Sequence, residues 1–327
     1  MKSYTELLKQ INKATDNANI MVDELMENHT SFRVGGPADI LVTPNDVLEV
    51  QALIKICKKY KVNYFLIGKG SNLLVKDGGI RGVVIKLCNL NKIEVEGNEI
   101  TAQSGASLYD VTIAALDNGL KGIEFANGIP GSIGGAAAMN AGAYNGEMSM
   151  VLDSMLAIDN NGELLTIEKD EMELSYRSSA VLKYGYTVIS VTLKLEVGDK
   201  AVIKARMDDL AKKRSDKQPL EYASAGSTFK RPEGHYASVL IQDSNLKGTH
   251  VGDAEVSVKH SGFIINKKSA SATDILDLIK LVQDEVQEKF GVRLDTEVKI
   301  WGEDKEPFEG AASCEAGSTS EIGSSSY

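Results

Sequence analysis

Cysteine is scarce in this 327-residue chain, and Cys57, Cys88 and Cys314 are too few and too far apart for a disulfide framework. Histidine is equally sparse. His29, His235, His250 and His260 follow no zinc-ligand spacing, so no bound metal is expected. No apolar run approaches membrane-spanning length, and the first ten residues carry Lys2, Glu6 and Lys9 where a secretory signal needs an apolar core. These absences predict no membrane insertion, no export and a reducing cytoplasm. Positive charge is also in deficit, with 36 Lys and Arg against 46 Asp and Glu for a net charge of −10. That argues against nucleic acid as a partner, because such binding rests on phosphates neutralised by Lys and Arg. Two nucleotide motifs are missing as well. Gly68-Lys-Gly-Ser-Asn72 is followed by Leu73 where a dinucleotide fingerprint has its third glycine, and it lacks the upstream glycine and trailing Ser or Thr of a P-loop.

What is present begins with length, since 327 residues exceed what one core usually serves and favour two domains. Ile40 to Thr43 reads as a strand, with Thr43-Pro44 capping a helix whose apolar stripe is Val47, Val50, Ile54 and Cys57. A strand at Asn63 to Ile67 then runs into the Gly68 to Asn72 turn. Gly82 to Leu87 and Glu99 to Gln103 read as antiparallel strands, and Ser107 to Asn118 as a helix stopped by Gly119. Ser154 to Asp159, Glu163 to Ile167 and Thr187 to Leu195 are further strand candidates, with a boundary near Gly198 to Lys200. Beyond it come a basic helix from Lys204 to Lys217, a Ser/Gly loop at Ser224 to Thr228, a helix at Thr273 to Phe290 and a closing strand at Arg293 to Trp301. Residues 304 to 327 are acidic and rich in Ser, Gly and Ala, which predicts a disordered tail.

The stretch from Gly128 to Tyr144 is almost wholly Gly, Ala and Ser, so it can fill little of a core. Two readings fit it. Glycine frees backbone N–H groups for an anion, which suggests a phosphate cradle, and glycine also permits a close helix–sheet contact.

Gly68-Lys-Gly-Ser-Asn-Leu-Leu-Val75, Gly128-Ile-Pro-Gly-Ser-Ile-Gly-Gly135, Ser175-Tyr-Arg-Ser178 and Gly226-Ser-Thr-Phe-Lys230 stand in the order and spacing of one family, with Glu297 as a fifth match. The chain resembles the UDP-N-acetylenolpyruvoylglucosamine reductases over residues 28 to 303. The short stretch between Arg177 and Gly226 leaves no room for a long substrate-covering loop, which points to the shorter-loop, type II class of that family. The resemblance implies an α+β fold. Residues 1–199 would form a two-subdomain FAD-binding domain of the vanillyl-alcohol-oxidase-like type with a boundary near 80, residues 200–303 a substrate domain, and residues 304–327 a tail.

The same resemblance implies an FAD-dependent reductase that takes electrons from NADPH and reduces the enolpyruvyl ether of a UDP-sugar in peptidoglycan synthesis. Gly68, Lys69, Gly70, Ser71 and Asn72, with Gly131, Ser132, Ile133, Gly134 and Gly135, would contact FAD. Arg177 would stabilise the developing enolate, Ser227 would protonate it, and Glu297 would polarise the carboxylate or relay a proton. Tyr176, Arg214 and Gln218 match substrate-contacting positions, with Arg214 suited to the UDP diphosphate. NADPH and the UDP-sugar would share one pocket. Taken alone, these residues read more plainly: Arg177 as a surface arginine, Ser227 as a turn serine, Glu297 on the solvated face of its strand, and the basic helix as a solvated face.

Overall fold

Alternating apolar residues at Ile40 and Val42, and again at Val83 and Ile85, place one face of a four-stranded sheet against a helix. We describe it from a computed structural model covering residues 4–15 and 18–305. The strand order is Asn19–Leu25, Pro37–Thr43, Ile80–Lys86, Tyr64–Ile67. The helix Val47–Lys59 buries Val50, Leu53, Ile54 and Cys57 on that face. Its N-cap is Asp46, whose carboxylate accepts the Glu49 N–H at 2.9 Å, not Thr43-Pro44 as the sequence suggested. Thr43 is still paired in the sheet, so it cannot turn to cap. A second correction concerns the stretch read as Gly82 to Leu87. It runs parallel to both its neighbours, because it enters the sheet between two strands that each precede it through a crossover.

Five antiparallel strands form the second sheet, in the order Leu164–Glu168, Leu152–Ile158, Thr187–Lys194, Glu99–Gln103, Ile93–Glu96. The helix Leu108–Asp117 and the short helix Ile133–Ala138 pack on it through Leu108, Val111, Ile133 and Ala137.

Residues 225–298 build most of a third cluster, which Phe32, Val34 and Leu74 join. The helix Lys200–Lys217 precedes a small three-stranded sheet, and the long helix Ala272–Phe290 buries Ile275, Leu278, Ile279, Val282 and Val286 at helical spacing. Ser271 and Asp274 form a capping box at its start, and Gly291 at φ 69° closes its end. The expected strand from Arg293 is mostly not one. Only Lys299–Trp301 enters a ladder, parallel to Leu73–Val75, while 295–297 bond instead to the Thr228 to Lys230 loop. Of the tail expected to be disordered from 304 to 327, residues 304 and 305 are described, with Asp304 paired to Lys76, and 306–327 lie outside the described residues. Among the described residues no helix is long and apolar enough to cross a membrane, and no cluster of His, Cys, Asp and Glu could hold a metal ion.

His260 belongs to this third cluster. Its Nδ1 accepts the Gly262 N–H at 3.1 Å and its ring meets Phe263 edge-on at 4.9 Å. Burial, with smaller repulsion from Lys247 and Lys217, holds its pKa below the usual value. The unfolded chain therefore takes up the proton first as pH falls. The stabilising contribution is complete above about pH 6.5 and is lost as pH drops through the lower folded-state value. We expect the urea midpoint to fall between pH 7.5 and 5.5, and the His260→Gln variant to show a shallower fall over the same interval.

Candidate active site

The strand Tyr64–Ile67 delivers the chain to the loop at 68–72, where side chains give way to backbone. Among the described residues nothing accepts a hydrogen bond from the N–H groups of Gly68, Lys69, Gly70, Ser71 or Asn72. Five successive unpaired donors in a folded protein are an anion cradle in wait of its ligand or solvent. Gly70 holds the loop's left-handed bend at φ 62°, and a Cβ there would lie 2.1 Å from the His29 carbonyl oxygen.

The small-residue run closes on this loop from the other side. A Cβ on Gly68 would lie 2.1 Å from Ser132 Oγ, and one on Gly131 would lie 2.7 Å from Ser71 Oγ. Both earlier readings of the run thus hold in different parts of it. Ile133 and Gly134 serve packing: their N–H groups bond to the Ala106 and Ser104 carbonyls at 2.9 Å, and the Ile133 side chain lies in the core. The N–H groups of Gly131, Ser132 and Gly135 have no acceptor among the described residues. Ser104 Oγ, buried against Gly134, likewise lacks a partner. Two glycine-lined loops presenting unpaired donors suit the phosphates of FAD.

Glu297 is where the remaining candidates meet. Its side chain is only 11% exposed, against the solvated position that strand periodicity implied, because 293–298 is not a regular strand. Arg177 Nε donates to Glu297 Oε1 at 2.5 Å, and the Tyr176 hydroxyl donates to Oε2 at 3.4 Å. Arg177 is no surface arginine. It sits in the Ser175–Ser178 turn at φ 56°, uncommon for a residue with a side chain, and that bend aims its guanidinium inward. Tyr176 is more than half exposed, and its oxygen also accepts the Arg231 N–H at 3.1 Å.

Ser227 reaches the same place through the backbone. The Glu297 N–H donates to the Thr228 carbonyl at 2.8 Å, which sets the serine loop beside the glutamate. The Ser227 hydroxyl is exposed and has no hydrogen-bond partner among the described residues, so it does not cap its own turn. Asn72 completes the group in a way that its motif did not suggest. Its Nδ2 donates to the Glu297 carbonyl at 3.2 Å, and its own carbonyl accepts the Lys299 N–H at 3.0 Å. The last residue of the anion cradle is therefore bonded to the residue that holds Arg177.

The basic helix divides. Lys204 pairs with Asp208, Lys212 with Asp216, and Arg206 and Lys213 with Asp209, all at helical spacing on the solvated face. Arg214 alone turns inward. It is 6% exposed, and its buried Nε and Nη2 have no partner. Burial lowers its pKa from the usual arginine value, an effect that the nearby Tyr144 opposes, yet a guanidinium stays charged. A buried cation without an anion is costly, so the site is complete only with a negative ligand. Its walls are the Gly128 backbone and the Tyr144 ring, whose centroid lies 5.6 Å from Cζ. Sequence reasoning passed over Tyr144, although it ends the small-residue run and starts a Tyr-Asn-Gly turn with φ 51° and 65° at its first two residues. Gln218 caps the same helix, half-buried, with its N–H on the Arg214 carbonyl at 2.8 Å.

Residues 38–168 match the family of FAD binding domains, and residues 218–301 match the UDP-N-acetylenolpyruvoylglucosamine reductase C-terminal domain. The chain is 58% identical over 306 residues to the UDP-N-acetylenolpyruvoylglucosamine reductase of Clostridium novyi (strain NT), covering 94% of this chain and 100% of that one. Identity to the reductase of Clostridium botulinum (strain Hall) is 54% over 304 residues, with 93% and 99% covered. The crystal structure of UDP-N-acetylenolpyruvylglucosamine reductase (MurB) from Thermus caldophilus matches with a TM-score of 0.75 and 33% identity, over 88% of this chain and 99% of that one. With both parts matched in order and relatives aligned from end to end, the chain belongs to the UDP-N-acetylenolpyruvoylglucosamine reductase family.

Proposed function

We infer that this chain is an NADPH-dependent reductase that converts UDP-N-acetylglucosamine enolpyruvate to UDP-N-acetylmuramate, a step of peptidoglycan synthesis. The observation that carries the reading is the convergence on Glu297 of Arg177, Tyr176, the Ser227 loop and the cofactor loop. FAD, when bound, supplies the two-electron relay between NADPH and the enolpyruvyl double bond. The unpaired N–H groups of 68–72 and of Gly131, Ser132 and Gly135 hold its phosphates and ribityl chain.

Hydride delivery to the terminal enol carbon leaves negative charge on the carbon beside the carboxylate. Arg177 stabilises that charge. Its Nε is committed to Glu297, which leaves the two terminal nitrogens to pair with the substrate carboxylate. Ser227 donates the proton, a role that its unpartnered hydroxyl supports. Glu297 fixes the guanidinium in place and offers its second oxygen to Tyr176 as a proton path. Arg214 receives the UDP diphosphate, with Gln218 and Tyr176 contacting the same substrate. Lys217 and Lys230 add positive charge nearby.

NADPH and the UDP-sugar occupy one pocket in turn, a reading supported by Arg214, the one arginine among the described residues with buried nitrogens that lack a partner. The enzyme acts in the cytoplasm, where Cys57 and Cys88 stay reduced. The division into a cofactor part over 1–199 and a substrate part over 200–303 is supported by an apolar cluster drawn mainly from 225–298, apart from the one built by 100–195, although Phe32, Val34 and Leu74 join the former and the helix Lys200–Lys217 packs on the first part. Within the first part we put the subdomain division between Lys86 and Ile93, later than the expected position near 80, in keeping with the strand order.

Anaerobic half-reactions test the assignment. NADPH should bleach the bound flavin, and the enolpyruvyl sugar should restore its absorbance; failure of either step rejects the reductase reading. In Ser227→Ala, bleaching should persist while reoxidation slows by about a hundredfold or more. Arg214→Met should leave the ligand-free protein at least as heat-stable, since an unpaired buried charge is gone. The same variant should raise the KM for the UDP-sugar by about tenfold or more. Isolation of a complex holding NADPH and the sugar together would overturn the shared pocket.

A further inference from the structure

The segment that follows the cofactor loop makes an unbroken series of bonds to the C-terminal unit. Asn72 bonds to Glu297 and Lys299, Leu73–Val75 pairs with Lys299–Trp301, and the Lys76 N–H donates to the Trp301 carbonyl at 2.9 Å. Gly78 and Gly79 exchange backbone bonds with Glu303, and Lys76 pairs with Asp304 at 2.9 Å. Only Asp77 points elsewhere. Its carboxylate accepts the N–H groups of Ala272 and Thr273 at 2.8 and 2.9 Å and the Thr273 hydroxyl at 2.6 Å, at the start of the helix Ala272–Phe290.

This is a cap supplied from far along the chain, to a helix that already has its local cap in Ser271. Ser271 satisfies only the Asp274 N–H, so Asp77 both serves the two N–H groups before it and ties the helix to a distant segment. Asp77 is itself firmly seated, since a Cβ on Gly36 would lie 2.1 Å from its carbonyl oxygen. Burial raises the Asp77 pKa, but the bonds from Thr273 and Ala272 outweigh that and hold the carboxyl below its usual value, so it is an anion at neutral pH. An anion at a helix N-terminus is favoured by the helix dipole.

The consequence lies at the helix's other end. Gly291 ends the helix and the chain proceeds directly to Glu297, so the helix and the glutamate segment form one hairpin-like unit. That unit and the strand after it are held to residues 72–79 at two places: by Asn72 through Gly79, Asp77 apart, along 297–304, and by Asp77 at the far end of the helix. We propose that Asp77 is a positioning residue for the reductase reaction, clamping the substrate half of the molecule against the cofactor loop so that Glu297 and Arg177 keep their place.

The proposal rests on the reductase reading given above, and the test keeps the two apart. Both half-reactions are followed by stopped flow in the wild-type holoenzyme, in Asp77→Ala, and in Thr273→Val, which removes only the hydroxyl donor. If the wild type is not reoxidised by the enolpyruvyl sugar, the reductase reading itself fails. Given a working wild type, Asp77→Ala should reoxidise about 10 to 100 times more slowly, the scale of a misplacement of about 1 Å at a reacting centre. Its bleaching by NADPH should stay within about twofold of the wild type, because that step does not use Glu297. Asp77→Asn, which keeps one acceptor oxygen, should recover most of the loss. Thr273→Val should show the same selectivity with a smaller effect, and it decides the matter if Asp77→Ala does not fold as holoenzyme. Equal slowing of both half-reactions, or normal reoxidation despite a lowered Tm, would overturn the proposal.

Discussion

Three backbone residues at the end of the fold, Lys299–Trp301, lie parallel to Leu73–Val75, and the active site depends on that pairing. A parallel pair needs a long connection, and here almost the whole molecule is the connection. The ladder places the residue before one strand, Asn72, next to the residue two places before the other, Glu297. The glycine loop and the Glu297 carboxylate are thereby set by the same few hydrogen bonds. A slip of register would misplace both.

Around that anchor the site is built mostly from backbone and from charge kept out of water. The two loops at 68–72 and 131–135 approach so closely that side chains at Gly68 or Gly131 would collide with serines opposite. Their unpaired N–H groups favour a diphosphate without any resident lysine in the cradle other than the exposed Lys69. Arg214 complements this from the other half of the molecule as a buried guanidinium with two unpaired nitrogens. Both features are unfavourable in the isolated protein and are relieved by anionic ligands, so affinity is drawn from polar groups that folding leaves unsatisfied.

Arg177 and Glu297 illustrate a different economy. Their ion pair is partly buried, at 20% and 11% side-chain exposure, and it spends only one face of the guanidinium. On the proposed reading the two terminal nitrogens are left for the substrate carboxylate. The left-handed backbone at Arg177 is a local strain tolerated because the turn must present Tyr176 and Arg177 together to one carboxylate.

Residue order and periodicity were enough to find the helices at 47–59, 108–117 and 272–290, the turn at 68–72 and four of the strands that the antiparallel sheet is built from, though not their pairing, because each follows from local spacing. The four short motifs carried the family and hence the candidate residues. Local spacing misread what depends on distant partners. Gly82 to Leu87 became a parallel central strand, and Arg293 to Val298 gave up its ladder to the Ser227 loop. Within one small-residue run, Ile133 and Gly134 went to packing while Gly131 and Gly135 kept free donors. Asp77 gave no sign, since a cap reaching across 195 positions leaves no trace in spacing. The sequence by itself determined the groups available: small residues that leave backbone N–H groups open, and an arginine, a serine and a glutamate that the proposed reaction would use. Only the tertiary structure decided which of them lie together, because Glu297 meets Arg177, Asn72 and the loop that carries Ser227 through contacts between segments that nothing in the local chain requires to be neighbours.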